Sequence, residues 1–169
     1  MAADEDGNYE DVTKYGLEDG DETAMLDAQK ECTFIWSNKE GWPVGVIMSY
    51  VFHDGRFWLT ASSQRARIHA VRRDPRVCIV VTSTGTSAGP NKTVTYKGMC
   101  AIRDDREIKD WYYPALSEHL FGPGERADNF VQFLDSPRRV VLEITPTQRI
   151  GYDGRKMAVD TEKWLAANT

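Results

Sequence analysis

Cysteine is scarce in this 169-residue chain. Cys32, Cys78 and Cys100 are odd in number and widely spaced, so they outline neither a disulfide framework nor a Cys-x-x-Cys site. No grouping of His, Cys and acid repeats a metal-ligand spacing, and no metal is expected. Long apolar runs are missing too: no stretch approaches eighteen residues, which argues against a membrane helix. The acidic start resembles neither a signal nor a transit peptide, and a cytoplasmic protein is expected. Paired carboxylates and nucleophile triads are likewise lacking. Asp104 and Asp105 read as helix caps and Glu107 as a first-turn acid, so no catalytic residue is assigned.

What is present is aromatic and unevenly charged. Aromatics make up 11% of the chain and hydrophobic residues 41%, enough for one ordinary core. The net charge of −5 hides a division. Residues 1–31 hold eleven acids against Lys14 and Lys30, a balance of −9 that leaves +4 for the rest. Residues 1–22, acidic and glycine-bearing with few apolar side chains, read as a disordered tail, and 23–169 as a single domain. Within the basic remainder, Arg65, Arg67, Arg72, Arg73 and Arg76 fall in twelve residues. Such a cluster faces either solvent or an anionic partner. It is too short, and too strongly opposed by the acidic segment, to suggest nucleic acid.

The periodicity is mostly that of strands. Cys32, Phe34 and Trp36 alternate with polar or smaller neighbours, and Asn38 to Gly41 carries turn chemistry. Val44–Phe52 reads as one long strand, His53-Asp54-Gly55 as a hairpin, and Arg56–Ala61 as the returning strand. Ser62 and Ser63 can cap a helix from about Gln64 to Arg73, stopped by Asp74-Pro75. Val77–Val81 and Thr93–Arg103 are further strands. A helix follows with Ile108, Trp111, Tyr112 and Leu116 at helical spacing, kinked or divided by Pro114. A second short helix is marked by Phe130, Phe133 and Leu134. Val140–Ile144 is then a strand, with Pro146 turning the chain. The pattern predicts a mainly β fold, an antiparallel barrel with helices packed outside it.

The chemistry concentrates at Thr60-Ala61-Ser62-Ser63-Gln64-Arg65-Ala66-Arg67, where a strand gives way to a helix. A helix start offers unpaired N–H groups and positive potential, and here two hydroxyls and two guanidinium groups gather round it. The same residues could also make an ordinary capped helix with exposed arginines. Gly41-Trp42-Pro43, Asp54-Gly55-Arg56, Arg65-Ala66-Arg67, and Arg72-Arg73-Asp74-Pro75-Arg76 ahead of a valine-rich strand together resemble the pyridoxamine-phosphate-oxidase-like family. The resemblance runs from about Cys32 to Asp153.

That resemblance implies a split β-barrel and a homodimer holding FMN, or the deazaflavin coenzyme F-420, at the subunit interface. FMN is favoured. It places the phosphate grip on Thr60, Ser62, Arg65 and Arg67, with the adjoining Ser63 hydroxyl and the backbone of Ala61, and runs Val46 and Met48 beside the flavin ring. The last basic position, often Lys in relatives, is Arg67 here, and His69-Ala70 stands where many relatives resemble Arg-Asn. The implied activity is an oxidoreductase acting on a small organic substrate. The alternative is a non-enzymatic flavin or haem storage protein, with His69 or His119 as a candidate haem ligand.

Overall fold

The computed structural model describes residues 11–168. These group into two compact units, one of residues 11–29, 82–94 and 150–168, the other of 30–81 and 95–149.

The larger unit carries the curled antiparallel sheet expected of a split barrel. Its strands are β1 (Glu31–Ser37), β2 (Pro43–Ser49), β3 (Val51–His53), β4 (Arg56–Ser62), β5 (Arg76–Thr82), β6 (Lys92–Arg103) and β7 (Arg139–Asp153), the last three having an end in the smaller unit. Their order is β2-β1-β5-β6-β7-β4-β3. The β1 alternation is real: Cys32, Phe34 and Trp36 are buried, paired opposite Met48, Val46 and Val44. Asn38 fixes the β1–β2 turn by accepting from the amides of Glu40 and Trp42, at 3.0 and 2.8 Å. In the β3–β4 hairpin Asp54 and Gly55 have φ of 51° and 71°, the double left-handed geometry of a two-residue turn.

The predicted long strand Val44–Phe52 is in fact two. β2 and β3 lie at opposite edges of the sheet and only Tyr50 separates them. A chain that passes from one edge to the other in one residue must bend as the sheet curls. Tyr50 fills that corner, fully buried with its ring 5.4 Å from Phe57.

β7 departs the other way. It runs straight through Pro146 instead of turning there. β4 pairs with Arg139–Ile144 only, so at Pro146 there is no β4 partner to miss the absent N–H. Gly98 explains the close passage of β6: a Cβ there would sit 2.8 Å from the Thr145 carbonyl oxygen.

Three helices belong to this unit: α2 (Ala66–Arg73), α3 (Arg106–Phe121) and α4 (Glu125–Leu134). α3 is not divided at Pro114. Tyr112, Tyr113 and Leu116 on α3, with Leu134 on α4, bury against Trp58 and Val141, which holds the helix together across the proline. Neither aspartate caps α3 through its side chain; Asp104 pairs with Lys109 instead.

The smaller unit contains α1 (Asp19–Ala28), the 82–94 loop and α5 (Gly154–Ala167). Residues 1–10 of the expected tail lie outside the described residues. From Asp11 onward the segment is built. A 3₁₀ turn at Val12–Tyr15 leads through Leu17 into α1, and Tyr15 and Leu17 are only 1% and 4% exposed. Tyr15 meets Tyr152 edge-on at 6.4 Å. The acids are paired: Asp21 with Lys92 and Arg155, at 2.7 and 2.9 Å, and Glu18 with Lys156 at 2.6 Å. Lys92 is 3% exposed and also donates to the Ala88 carbonyl at 2.8 Å. Composition alone cannot reveal these partners.

Candidate functional site

β4 delivers Thr60, Ala61 and Ser62 to the start of α2. The chain turns tightly at Ser63 and Gln64: the Ser63 amide donates to the Arg138 carbonyl at 2.7 Å, and the Arg65 amide to the Ser62 carbonyl at 3.0 Å. Arg65 is the N-cap residue and makes no side-chain cap bond. This corrects the expected serine cap, and it matters chemically. Among the described residues, the side chains of Ser62, Ser63, Arg65 and Arg67 make no hydrogen bond or ion pair. The first-turn amides of Ala66 and Arg67 also lack intrahelical acceptors.

Arg67 is half-buried, and its Nε is buried without a partner. Burial, and then the like charge of Arg65, draw its pKa below the ordinary arginine value. Both effects mean that its cation lacks a counter-ion, which a bound anion would supply. Two other members of the arginine cluster are committed. Arg73 donates to the Ser37 carbonyl at 2.7 Å, and Arg76 holds Asp74 at 2.7 Å, taking that carboxyl down to about 2. The cluster thus separates into structural members, Arg73 and Arg76, and open ones: Arg65 and Arg67 at the start of α2, and Arg72 in its last turn, away from the junction. Thr60 is committed through its hydroxyl, which donates to the Val140 carbonyl at 2.8 Å, and the Ala61 side chain is core.

Val46 and Met48 are placed differently from this group. Both lie on β2, at one edge of the sheet, on the inward face opposite Phe34 and Cys32. The Met48 side chain is buried and its carbonyl accepts from the Cys32 thiol at 3.5 Å. What β2 turns outward is Gly45 and Ile47, the latter 63% exposed. The outer face continues through Ile35, Cys78 and Val80 to Met99, which is 44% exposed. An open cleft of about 520 Å³ lies on this face, lined by Ile35, Pro43, Arg76, Cys78, Lys97 and Met99. The sequence reading missed this face because the same strands are apolar on both sides.

The histidines do not converge. His53 sits in the hairpin with its ring 5.0 Å from Trp111, His69 is exposed on α2, and His119 packs against Tyr50 at 6.3 Å. Among the described residues no three His, Cys, Asp or Glu side chains gather as a metal site. No described helix is long and apolar enough to cross a membrane.

A curled antiparallel sheet with helices flanking it defines the class of protein. The chain belongs to the pyridoxamine 5'-phosphate oxidase family, whose model matches residues 24–152. No curated protein matches it. Among solved structures it is similar to the conserved hypothetical protein Rv2991 of Mycobacterium tuberculosis, 21% identical, with a TM-score of 0.74 over 86% of this chain and 91% of that one. It is also similar to an F420 reductase, 17% identical, with a TM-score of 0.61 over 79% and 98% of the two chains. A third is the haem storage protein HutZ of Vibrio cholerae, 15% identical, with a TM-score of 0.61 over 80% and 96%.

Proposed function

We propose that this chain is an oxidoreductase of its family that binds FMN or coenzyme F-420 by the phosphate and acts on a small organic substrate, as a homodimer with the cofactor at the subunit interface. The observation that carries the reading is the uncommitted set Ser62, Ser63, Arg65 and Arg67 at the start of α2, with the Arg67 Nε buried and unpartnered. Two guanidinium groups, two hydroxyls and free first-turn amides fit a phosphate dianion in charge and in donor number. Either cofactor, when bound, supplies two-electron hydride chemistry. The residues of the chain bind and orient it: Arg65 and Arg67 neutralise the phosphate, the serine hydroxyls donate to its oxygens, and the outward backbone of β2 offers a flat edge for a ring.

Support for the dimer comes from the outer sheet face, where Ile35, Ile47, Val80 and Met99 form an apolar surface of the kind a second copy would cover and keep dry. Haem storage is the second reading, favoured by the likeness to HutZ. His119 is engaged with Tyr50 and His69 is not enclosed, so the phosphate reading is preferred.

The test is an absorption spectrum and a melting curve of the purified protein with FMN, coenzyme F-420 and haemin added separately. Stabilisation by FMN or F-420 supports the proposal and chooses between them by mass action. A Soret band without flavin binding favours storage of haem, and no response to any of the three refutes the cofactor reading.

A further inference from the structure

Four buried side-chain polar atoms among the described residues have no hydrogen-bond partner: Arg67 Nε, Tyr112 Oη, Tyr113 Oη and Arg139 Nε. Buried donors in native proteins are nearly always satisfied, so such a group calls for an explanation. Two of them, Tyr113 Oη and Arg139 Nε, lie near each other at the end of β4 that leads into the α2 junction. Arg139 opens β7 directly opposite Ser62 of β4, the residue whose carbonyl receives the Arg65 amide. Paired residues across an antiparallel ladder point to the same face of the sheet, so Arg139 and Ser62 share one side. The Tyr113 hydroxyl lies near the Thr60 hydroxyl, two residues back along β4 on that same side, but outside hydrogen-bond geometry, and the Thr60 proton is already given to the Val140 carbonyl. Tyr112 and Tyr113 are 0% and 1% exposed.

The acids nearby are already taken. Asp135 receives Arg106 through both oxygens at 2.9 Å, and Glu143 is shared by Arg56 and Arg103, at 3.2 and 2.6 Å. Among the described residues the Arg139 guanidinium makes no hydrogen bond or ion pair; it lies over the ring of Phe133, at 5.9 Å from the centroid. A half-buried cation and a buried phenol therefore face the end of β4 with no anion between them.

We infer that Arg139 and Tyr113 form a second bank of the anion site, donating to the phosphate-bearing end of the ligand from β7 and α3 while Arg65 and Arg67 donate from α2. The inference rests on the phosphate reading above. A tetrahedral phosphate has enough oxygens to accept from several directions, whereas a carboxylate held by Arg65 and Arg67 would have few lone pairs left. The site is then assembled from three separate stretches of chain, and the neutral phenol makes it selective. It donates to a phosphate oxygen and adds no charge of its own. Burial pushes the Tyr113 hydroxyl upward in pKa, with Arg139 opposing, so the protonated, donating form prevails at neutral pH.

The experiment uses the full chain and the variants Arg139→Met, Arg139→Lys and Tyr113→Phe. Each is titrated with FMN and with riboflavin, which lacks the phosphate, and melted with and without inorganic phosphate. For Arg139→Met the expected loss of FMN affinity is about tenfold or more, with riboflavin unmoved and the phosphate-induced rise in Tm abolished. Tyr113→Phe, which keeps the ring and so the packing, should lose about three- to tenfold for FMN alone. Arg139→Lys should fall between, retaining charge but not the guanidinium fork. FMN affinity unchanged in both Arg139→Met and Tyr113→Phe overturns the inference, and so does a parallel loss for riboflavin. If the wild type binds neither FMN nor F-420, the assignment of a flavin-type cofactor fails by itself. A phosphate-induced Tm rise that depends on Arg139 would still uphold the anion site, and a rise that does not depend on it would refute the site.

Discussion

Replacing Arg67 with alanine is the most direct perturbation of the proposed grip. The side chain is half-buried, its Nε has no acceptor, and its charge is opposed by both burial and Arg65. In the ligand-free protein it is therefore a liability, and its removal should leave Tm unchanged or slightly raised. In the complex it should contribute a charge-assisted hydrogen bond, about 1.5–3 kcal/mol, which corresponds to a loss of about 10- to 150-fold in affinity for FMN or coenzyme F-420. Flavin fluorescence quenching or calorimetry measures the affinity, and a melting curve of the free protein measures the fold. Opposite signs in the two assays are the signature of a binding residue kept at the expense of stability. An unaltered dissociation constant would refute the phosphate assignment. A fall in apo Tm as large as that for a core deletion would show that Arg67 is structural.

Three further outcomes follow from the packing. Asp21→Asn strips Lys92 of its carboxylate and leaves a buried ammonium with only the Ala88 carbonyl, so Tm should drop by several degrees. In the wild type Lys92 holds the Asp21 pKa below its usual value; that depressed carboxyl stabilises the fold above its unfolded pKa, near 4, and the benefit disappears as pH falls through the lower folded value. The acid limb of a stability–pH curve should therefore flatten in the variant, and identical limbs would contradict this. Gly98→Ala places a Cβ against the Thr145 carbonyl oxygen at 2.8 Å and the Ile144 side chain at 2.9 Å, overpacking expected to cost about 1–3 kcal/mol and readable by denaturant titration. Burial pushes the Cys32 and Cys100 thiols up to about 12, so a maleimide should label the half-buried Cys78 first in the native protein and all three only after unfolding, as counted by mass spectrometry.

Much of the fold can be read from residue order where one local rule acts alone. The alternation in β1, the Asp54-Gly55 hairpin and the Pro75 stop after α2 are each decided within a few residues. Features set by distant neighbours are not legible in this way. The Val44–Phe52 run looks uniform, yet it serves both edges of the sheet, because the curl is a property of all seven strands. Pro146 reads as a turn until the absence of β4 beside it is known. The candidate site divides along the same line. Arg65 and Arg67 adjoin a recognisable strand-to-helix junction. Tyr113 is 46 residues later than Arg67 in sequence and joins them only through the packing of α3 on Trp58 and Val141. Arg139 carried the one faint signal, a basic pair opening an apolar run, and nothing local tied it to Ser62.

The Tyr50 corner has a consequence for solubility. A sheet edge displays unsatisfied amides and carbonyls that can recruit a foreign strand, and most open sheets must blunt two of them with charge or irregularity. Here both edge strands are joined through one residue, so neither edge can swing outward without pulling on the other. Extra residues inserted at Tyr50 would uncouple the two edges and leave each free to recruit a strand of its own.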